Sequence, residues 1–461
     1  MSEILILIAI NLAVYFRILR YDYIIDDQLV PKGKGKNIFH TLLLQLHALK
    51  YSNKEVEHLL RILVHTAVCI MIYVAFGRSQ ISFVAALLFA VNPSNNQGVC
   101  WLNGIGYSMS ALCVLLMVAA PAFSILPYLY TMAWHVTAAF APILFIAHGP
   151  WYYVFLLVPY IAIGWLLSWN IPVFKAQKNA TLSVRIKSPN TPMRAISVGK
   201  MIFVIKCYGY YFFISLLPRR LGLYHTFGYS YGLAKRDTDK WESISPLFWS
   251  SFALILVNVA IMIHYWGTPL AYGIFWYSLF IGQFCNFVMI QQPIAERYLY
   301  LPNVGLMYAL AWVIFQTGYA YVIATVFFTA YLSKLSYFLP AYKNMQSYVD
   351  YSLQDFPDQF ALHNWQGVLH RDKNRLFSSM AAWALGLKYR DYDFRINFNM
   401  AHVLGQMGFL KESLKYYEKA GEGLAEEDAK EEHRKIVADA RAIVEGRLRK
   451  AEGGDPRIIR V

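Results

Sequence analysis

The sequence predicts an all-α protein in two parts, a membrane-embedded bundle over residues 1–339 and a domain of helical repeats over residues 340–461. Three observations predict it. Of the 461 residues 57% are apolar, only 15% are charged, and mean hydropathy is +0.37, outside the range of ordinary soluble domains. Apolar runs of roughly bilayer length recur along the first part. The charge then changes character: residues 1–339 carry 23 basic and 10 acidic residues, a balance of +13, whereas residues 340–461 carry 19 and 18, a balance of +1.

A hydrocarbon core of about 30 Å takes about 20 apolar residues per helix. About eleven segments are candidates, near residues 3–19, 59–77, 80–92, 105–120, 121–133, 135–149, 151–170, 246–264, 268–288, 301–316 and 318–338. The run Ile4 to Phe16 is followed by Arg17 and Arg20 instead of a small-residue cleavage site, so it reads as the first membrane helix. Residues 200–217 are apolar but are interrupted by Lys206 and ended by Pro218, Arg219 and Arg220, which also fits an interfacial or re-entrant helix. With a cytoplasmic amino terminus and that segment not crossing, residues 20–57, 93–104, 171–245 and 289–300 are expected on the extracytoplasmic side, together with the tail. Lys32, Lys34, Lys36, Lys175, Lys178, Arg185 and Lys187 on that side run against the positive-inside rule; binding carrier phosphates is a functional reason for breaking it.

The positive charge is spread over short loops, where anionic head groups and phosphates are nearer partners than nucleic acid, so membrane lipids are expected and nucleic acid is not. Cys69, Cys100, Cys113, Cys207 and Cys285 form no close pair, which supports neither a zinc site nor a disulfide framework. His58 and His65 share a helix face seven residues apart, and His40 and His47 have the same spacing. Polar packing explains either pair better than ligation, and no metal site is assigned.

The tail shows a 34-residue period. Gly367 corresponds to Ala401, Trp383 to Tyr417 and Gly386 to Ala420, with Gly408 and Phe409 at the turn between two helices. This is the tetratricopeptide period and pattern, a short α-solenoid in which small residues let paired helices approach. Repeats need neighbours to cover their apolar faces, so helices over 347–370 and after Glu426 are expected as caps.

Four constellations carry chemistry. Asp26 and Asp27 follow the first apolar segment among Tyr21, Tyr23, Ile24, Ile25, Leu29 and Val30. Paired aspartates there serve as a turn or cap, or as carboxylates held at a membrane surface with raised pKa and able to act as a base. Glu296 and Arg297, in Ala295-Glu296-Arg297-Tyr298, are the only carboxylate and the only Lys or Arg between residues 243 and 333. They read as a mutual ion pair at a helix end, or as a guanidinium that grips a lipid-linked phosphate. Asn92, Asn95 and Gln97 end a membrane helix shortly before Trp101 and Asn103. They satisfy a helix terminus, or bind sugar hydroxyls while Trp101 offers an apolar face to the ring. Arg219 and Arg220 snorkel to head groups, or clamp a phosphate beside Arg297.

Three blocks occur in the order of a known family: His58 to His65 (HLLRILVH), Ala85 to Pro93 (AALLFAVNP) and Ala295 to Gly305 (AERYLYLPNVG). With the acidic pair after the first helix and the terminal repeats, they resemble the transmembrane and tetratricopeptide-containing O-mannosyltransferases over nearly the whole chain. The resemblance implies the GT-C fold, many membrane helices beneath an extracytoplasmic active site, and a polyprenyl-phosphate sugar as donor. It implies an inverting transfer to a Ser or Thr hydroxyl of an acceptor protein, with Asp26 or Asp27 as the base and Arg297 balancing the leaving phosphate. Glu296 and Tyr298 then belong to the substrate site with Asn92, Asn95 and Trp101. Relatives differ in whether they use a divalent metal, and no complete ligand set is evident here. The chain also departs from the family: Asn92, Asn95 and Gln97 stand where relatives carry His, His and Glu, and about two repeat copies are recognisable. A membrane assembly protein without catalysis, binding partners through its repeats, is the alternative.

Overall fold

The computed structural model describes residues 2–24, 54–128, 136–145, 160, 197–222, 225, 241–287, 294–426 and 431–452. Among these residues all regular structure is helical. The apolar part contains α1 (Ser2–Tyr15), α2 (Lys54–Ala75), α3 (Gln80–Val91), α4 (Asn96–Cys100), α5 (Ile105–Ala119), α6 (Val198–Leu216), α7 (Pro246–His264), α8 (Pro269–Ile281), α9 (Tyr300–Phe315) and α10 (Ala320–Phe338).

Local chemistry explains where these helices start and stop. Gly77 and Arg78 take positive φ angles of 90° and 54° between α2 and α3, and Ser79 caps α3 by accepting from the Ser82 backbone while Ser82 answers in return. Helices α7 and α8 both open on proline, whose missing N–H would have no partner in a first turn. Pro93 follows the end of α3, and short 3-10 turns at Pro93–Asn95 and Leu102–Gly104 flank α4.

Among the described residues five helical stretches are long and apolar enough to cross a membrane: Ser2–Arg20, Lys54–Ala75, Pro246–His264, Glu296–Phe315 and Ala320–Lys343. Pro93–Cys100 with Ile105–Ala119, bent by 106°, makes a sixth if the pair is one span. Trp249, Leu256, Val257 and Ile263 stand exposed along α7, as do Tyr321, Val322 and Val326 along α10. Such faces are compatible with lipid as the surrounding solvent.

Other expected segments are shorter or only partly among the described residues. The segment near 80–92 is the 12-residue α3, about 18 Å long at 1.5 Å per residue and too short for the core by itself. The segment near 135–149 is represented by a 3-10 stretch, Val136–Ile143, with Pro142 inside it and no N–H at that position. The segment near 121–133 opens as the 3-10 turn Pro121–Phe123. Apart from Tyr160, the segment 151–170 lies outside the described residues. Residues 200–217 do form a helix, α6, with Lys206 buried on it.

The chain divides into two compact units. The first comprises Met1–Arg185, Lys200–Leu221 and Ile244–Tyr348. At its centre α8 and α9 pack closely because Gly273 and Gly305 face each other. A methyl at Gly305 would meet the Gly273 carbonyl oxygen at 2.6 Å and Trp276 Cβ at 2.5 Å. Small residues of this kind let helix backbones approach where lipid supplies no hydrophobic drive. Trp276, fully buried, donates its indole N–H to the Leu301 carbonyl at 2.8 Å and ties the same two helices.

The second unit comprises Ile186–Gly199, Gly222–Ser243 and Val349–Val461. The junction helix α11 (Met345–Asp355) leads into it, followed by two hairpins, α12 (Phe360–Asp372) with α13 (Leu376–Tyr389) and α14 (Phe394–Gln406) with α15 (Leu410–Glu426), and then α16 (Glu431–Glu452). Trp383 is fully buried against Gly367 and donates to the Asn364 carbonyl at 3.2 Å. In the second hairpin Tyr417, Ala401 and Ala420 share a core that Val437 and Val444 of α16 complete. Gly408, at φ 88°, makes the turn between α14 and α15. His225 joins this unit too, its ring 4.8 Å from that of Phe356 and its carbonyl accepting from Gln359.

Candidate functional site

The polar block after α3 is buried and internally bonded. Asn92 accepts from the Ser94 backbone at 3.0 Å and the Ser94 hydroxyl at 2.7 Å, and donates to the Ser215 carbonyl of α6 at 3.0 Å. Asn95 donates to the Phe89 carbonyl at 2.9 Å and accepts from Asn303 of α9 at 2.8 Å. Asn303 also donates to the Ser94 hydroxyl at 3.0 Å. Asn95 takes up a carbonyl of the last turn of α3, while Asn92 and Asn303 stitch that end to α6 and α9. Both Asn92 and Asn95 are fully buried, with their amides engaged in these bonds.

Glu296 and Arg297 lie on the 3-10 turn Glu296–Leu299 that leads into α9. The Glu296 carboxylate is fully buried and accepts from Asn96 Nδ2 at 2.8 Å. Arg297 points elsewhere, and its guanidinium carbon lies 4.8 Å from the Tyr298 ring centre and 5.3 Å from that of Trp101. It donates to the Tyr298 hydroxyl at 3.3 Å and interacts with the Tyr107 side chain. Tyr298 in turn stacks on Phe284 at 4.3 Å, and Tyr107 lies 6.0 Å from Tyr298. A half-buried guanidinium is thereby held among aromatic faces, an arrangement that attracts the cation and fixes its plane. Trp101 presents its ring to this guanidinium, and its buried indole N–H has no acceptor among the described residues.

The three sequence blocks meet at His65. Its Nε2 lies 3.2 Å from the Ala90 carbonyl and its Nδ1 2.6 Å from the Tyr300 hydroxyl. A carbonyl only accepts, so in the neutral ring Nε2 carries the proton and Nδ1 accepts from Tyr300. Tyr15 of α1 donates to the same Ala90 carbonyl at 3.1 Å. Gly98 makes room for Tyr300, since a Cβ there would meet the ring at Cε2 at 2.8 Å. From the same block as His65, Arg61 donates to the Leu102 carbonyl at 3.1 Å, at the break between α4 and α5. Both His65 and Arg61 therefore act in packing the bundle around the site.

Arg219 and Arg220 are exposed just past α6. The charges of Arg220 and Glu296 both act on Tyr210 of the same helix, whose phenol is pushed up first by burial and then by Glu296, while Arg220 opposes the rise. Asp26 and Asp27 lie outside the described residues. The chain on either side is tied, since Lys54 Nζ lies 2.6 Å from Asp22 Oδ1 and the Asp22 N–H donates to the Lys343 carbonyl at 3.0 Å.

Residues that sequence reasoning did not single out complete the cluster. Tyr342 donates to Asn96 Oδ1, Gln97 donates to the Tyr348 hydroxyl at 3.3 Å, and Gln97 Oε1 accepts from the Arg297 backbone at 3.3 Å. Burial, with the Glu296 carboxylate adding to it, pushes the Tyr348 phenol well up, so it stays neutral. No pattern at short range marks Tyr342 or Tyr348 among 34 tyrosines; Asn96 sat between two residues that the polar block did flag. Among the described residues no group of three His, Cys, Asp or Glu side chains is arranged to hold a metal. Comparison with protein-family models, with curated proteins and with solved structures finds no match.

Proposed function

We propose that this chain is an integral membrane glycosyltransferase of the GT-C kind, moving a sugar from a polyprenyl-phosphate donor to Ser or Thr hydroxyls of an acceptor protein on the extracytoplasmic side. The observation that carries the reading is Arg297: a half-buried guanidinium at the head of a long apolar helix, oriented by Tyr107, Tyr298 and Trp101. Such a group suits a phosphate whose lipid tail lies along an apolar face, since charge develops on that phosphate as the sugar leaves. Arg220 and Arg219 widen the basic surface offered to it. Asp26 or Asp27 takes the proton from the attacking hydroxyl. The apolar part, of about eleven spans, forms the GT-C domain, and the terminal hairpins form a short tetratricopeptide solenoid that presents the acceptor.

One observation favours a second reading. Asn92 and Asn95 are spent on internal hydrogen bonds, and the block they occupy is neutral, as a membrane assembly scaffold without catalysis would tolerate. Exchange of Asp26 and Asp27 for Asn separates the two. Under the enzymatic reading the double variant is inserted and folded as wild type, yet leaves a co-expressed acceptor without glycan. Full glycosylation by both single variants and by the double removes the aspartates from the mechanism.

A further inference from the structure

Consecutive amides grip consecutive residues of the Arg297 turn. Asn96 Nδ2 donates to Glu296 Oε2 at 2.8 Å, while Gln97 Oε1 accepts from the Arg297 N–H at 3.3 Å. Each amide is anchored in turn by a tyrosine from the segment after α10. The Tyr342 hydroxyl donates to Asn96 Oδ1, and the Tyr348 hydroxyl accepts from Gln97 Nε2 at 3.3 Å. A phenol on Oδ1 and a carboxylate on Nδ2 fix which way the Asn96 amide faces. Asn96 Nδ2 also reaches the Pro93 carbonyl at 2.6 Å, which locks its side chain to the turn before α4. All four side chains are at most 2% exposed, as is Glu296.

We infer that Asn96 and Gln97 are positioning residues that set the Arg297 guanidinium for a carrier phosphate, with Glu296 held as their buried anchor and Tyr342 and Tyr348 fixing both amides. The inference rests on the proposed function and adds residues to its phosphate site. Glu296 is fully buried with its carboxylate on Asn96, so it steadies the turn from beneath while Arg297 meets the ligand. A guanidinium misplaced by about an ångström loses much of a bidentate grip.

The test uses the purified full-length chain in nanodiscs, with undecaprenyl phosphate as the probe and thermal melting as a parallel readout. Asn96→Ala and Gln97→Met are expected to weaken binding about tenfold, the equivalent of one decade in Kd, and Tyr342→Phe about threefold. The double Asn96→Ala/Tyr342→Phe should bind no worse than Asn96→Ala alone, because both act through one amide. Glu296→Gln, which keeps an acceptor for Asn96, should lose less affinity than Glu296→Leu. Variants that melt lower but bind undecaprenyl phosphate as wild type reduce the clasp to packing and overturn the inference. Wild-type protein that binds no undecaprenyl phosphate overturns the functional reading instead. The clasp is then judged by melting, where strictly additive effects of Asn96→Ala and Glu296→Leu contradict it and non-additive ones sustain it.

Discussion

Arg297 combines a delocalised charge with three aromatic neighbours, and a lysine there would keep only the charge. The ammonium is a compact point donor without a planar fork. Arg297→Lys is therefore expected to lower kcat/KM for a polyprenyl-phosphate sugar by at least about tenfold, or about 1.4 kcal/mol, measured by initial rates against donor concentration. A wild-type rate would show that charge alone suffices. Glu296 and Arg297 were legible in the sequence because no other carboxylate, lysine or arginine occurs between residues 243 and 333. Their division of labour was not. Adjacent opposite charges suggest a mutual pair, whereas Glu296 turns inward to Asn96 and Arg297 turns to Tyr107, Tyr298 and Trp101. Asn96, Trp101 and Tyr107, some 200 positions away in the chain, share in deciding that, and local pattern carries no record of them.

At the scale of elements, helix type and position followed apolar run length well where the run was uninterrupted. Helix α7 covers Pro246–His264, the segment expected from hydropathy. At Pro121 and Pro142 the described residues form 3-10 turns within the apolar runs, a local feature that run length alone does not register. The close pairing of α8 with α9 was also invisible, since glycines at Gly273 and Gly305 read as flexibility until their neighbours are known. With the Gly273 carbonyl and Trp276 Cβ both rigid, Gly305→Val should destabilise the apolar unit by about 2 kcal/mol or more. Melting of the solubilised protein reads this directly; an unchanged transition would mean that the helices part at little cost. In the tail Gly367 and Trp383, two of the positions that the 34-residue spacing marked, lie against each other.

At the scale of the whole molecule, two compact units divide one chain: an apolar one that holds the Arg297 cluster, and a charge-rich one built around two helical hairpins. A helix face such as that of α7 is stable in hydrocarbon, and a guanidinium at the head of α9 suits the interface where lipid phosphates lie. The neutral Asn92 to Gln97 block then makes sense as the support of that guanidinium, in place of a second set of acids and bases. The proposed activity is sugar transfer from a lipid carrier to protein. Glycopeptide mass spectrometry of secreted and surface proteins, from cells with and without this chain, tests that claim most directly. At least one Ser or Thr is expected to carry a glycan only when the chain is present and to lose it with Arg297→Ala. Identical glycopeptides in both cell lines, beside a stable unglycosylated partner that co-purifies with the chain, would contradict it.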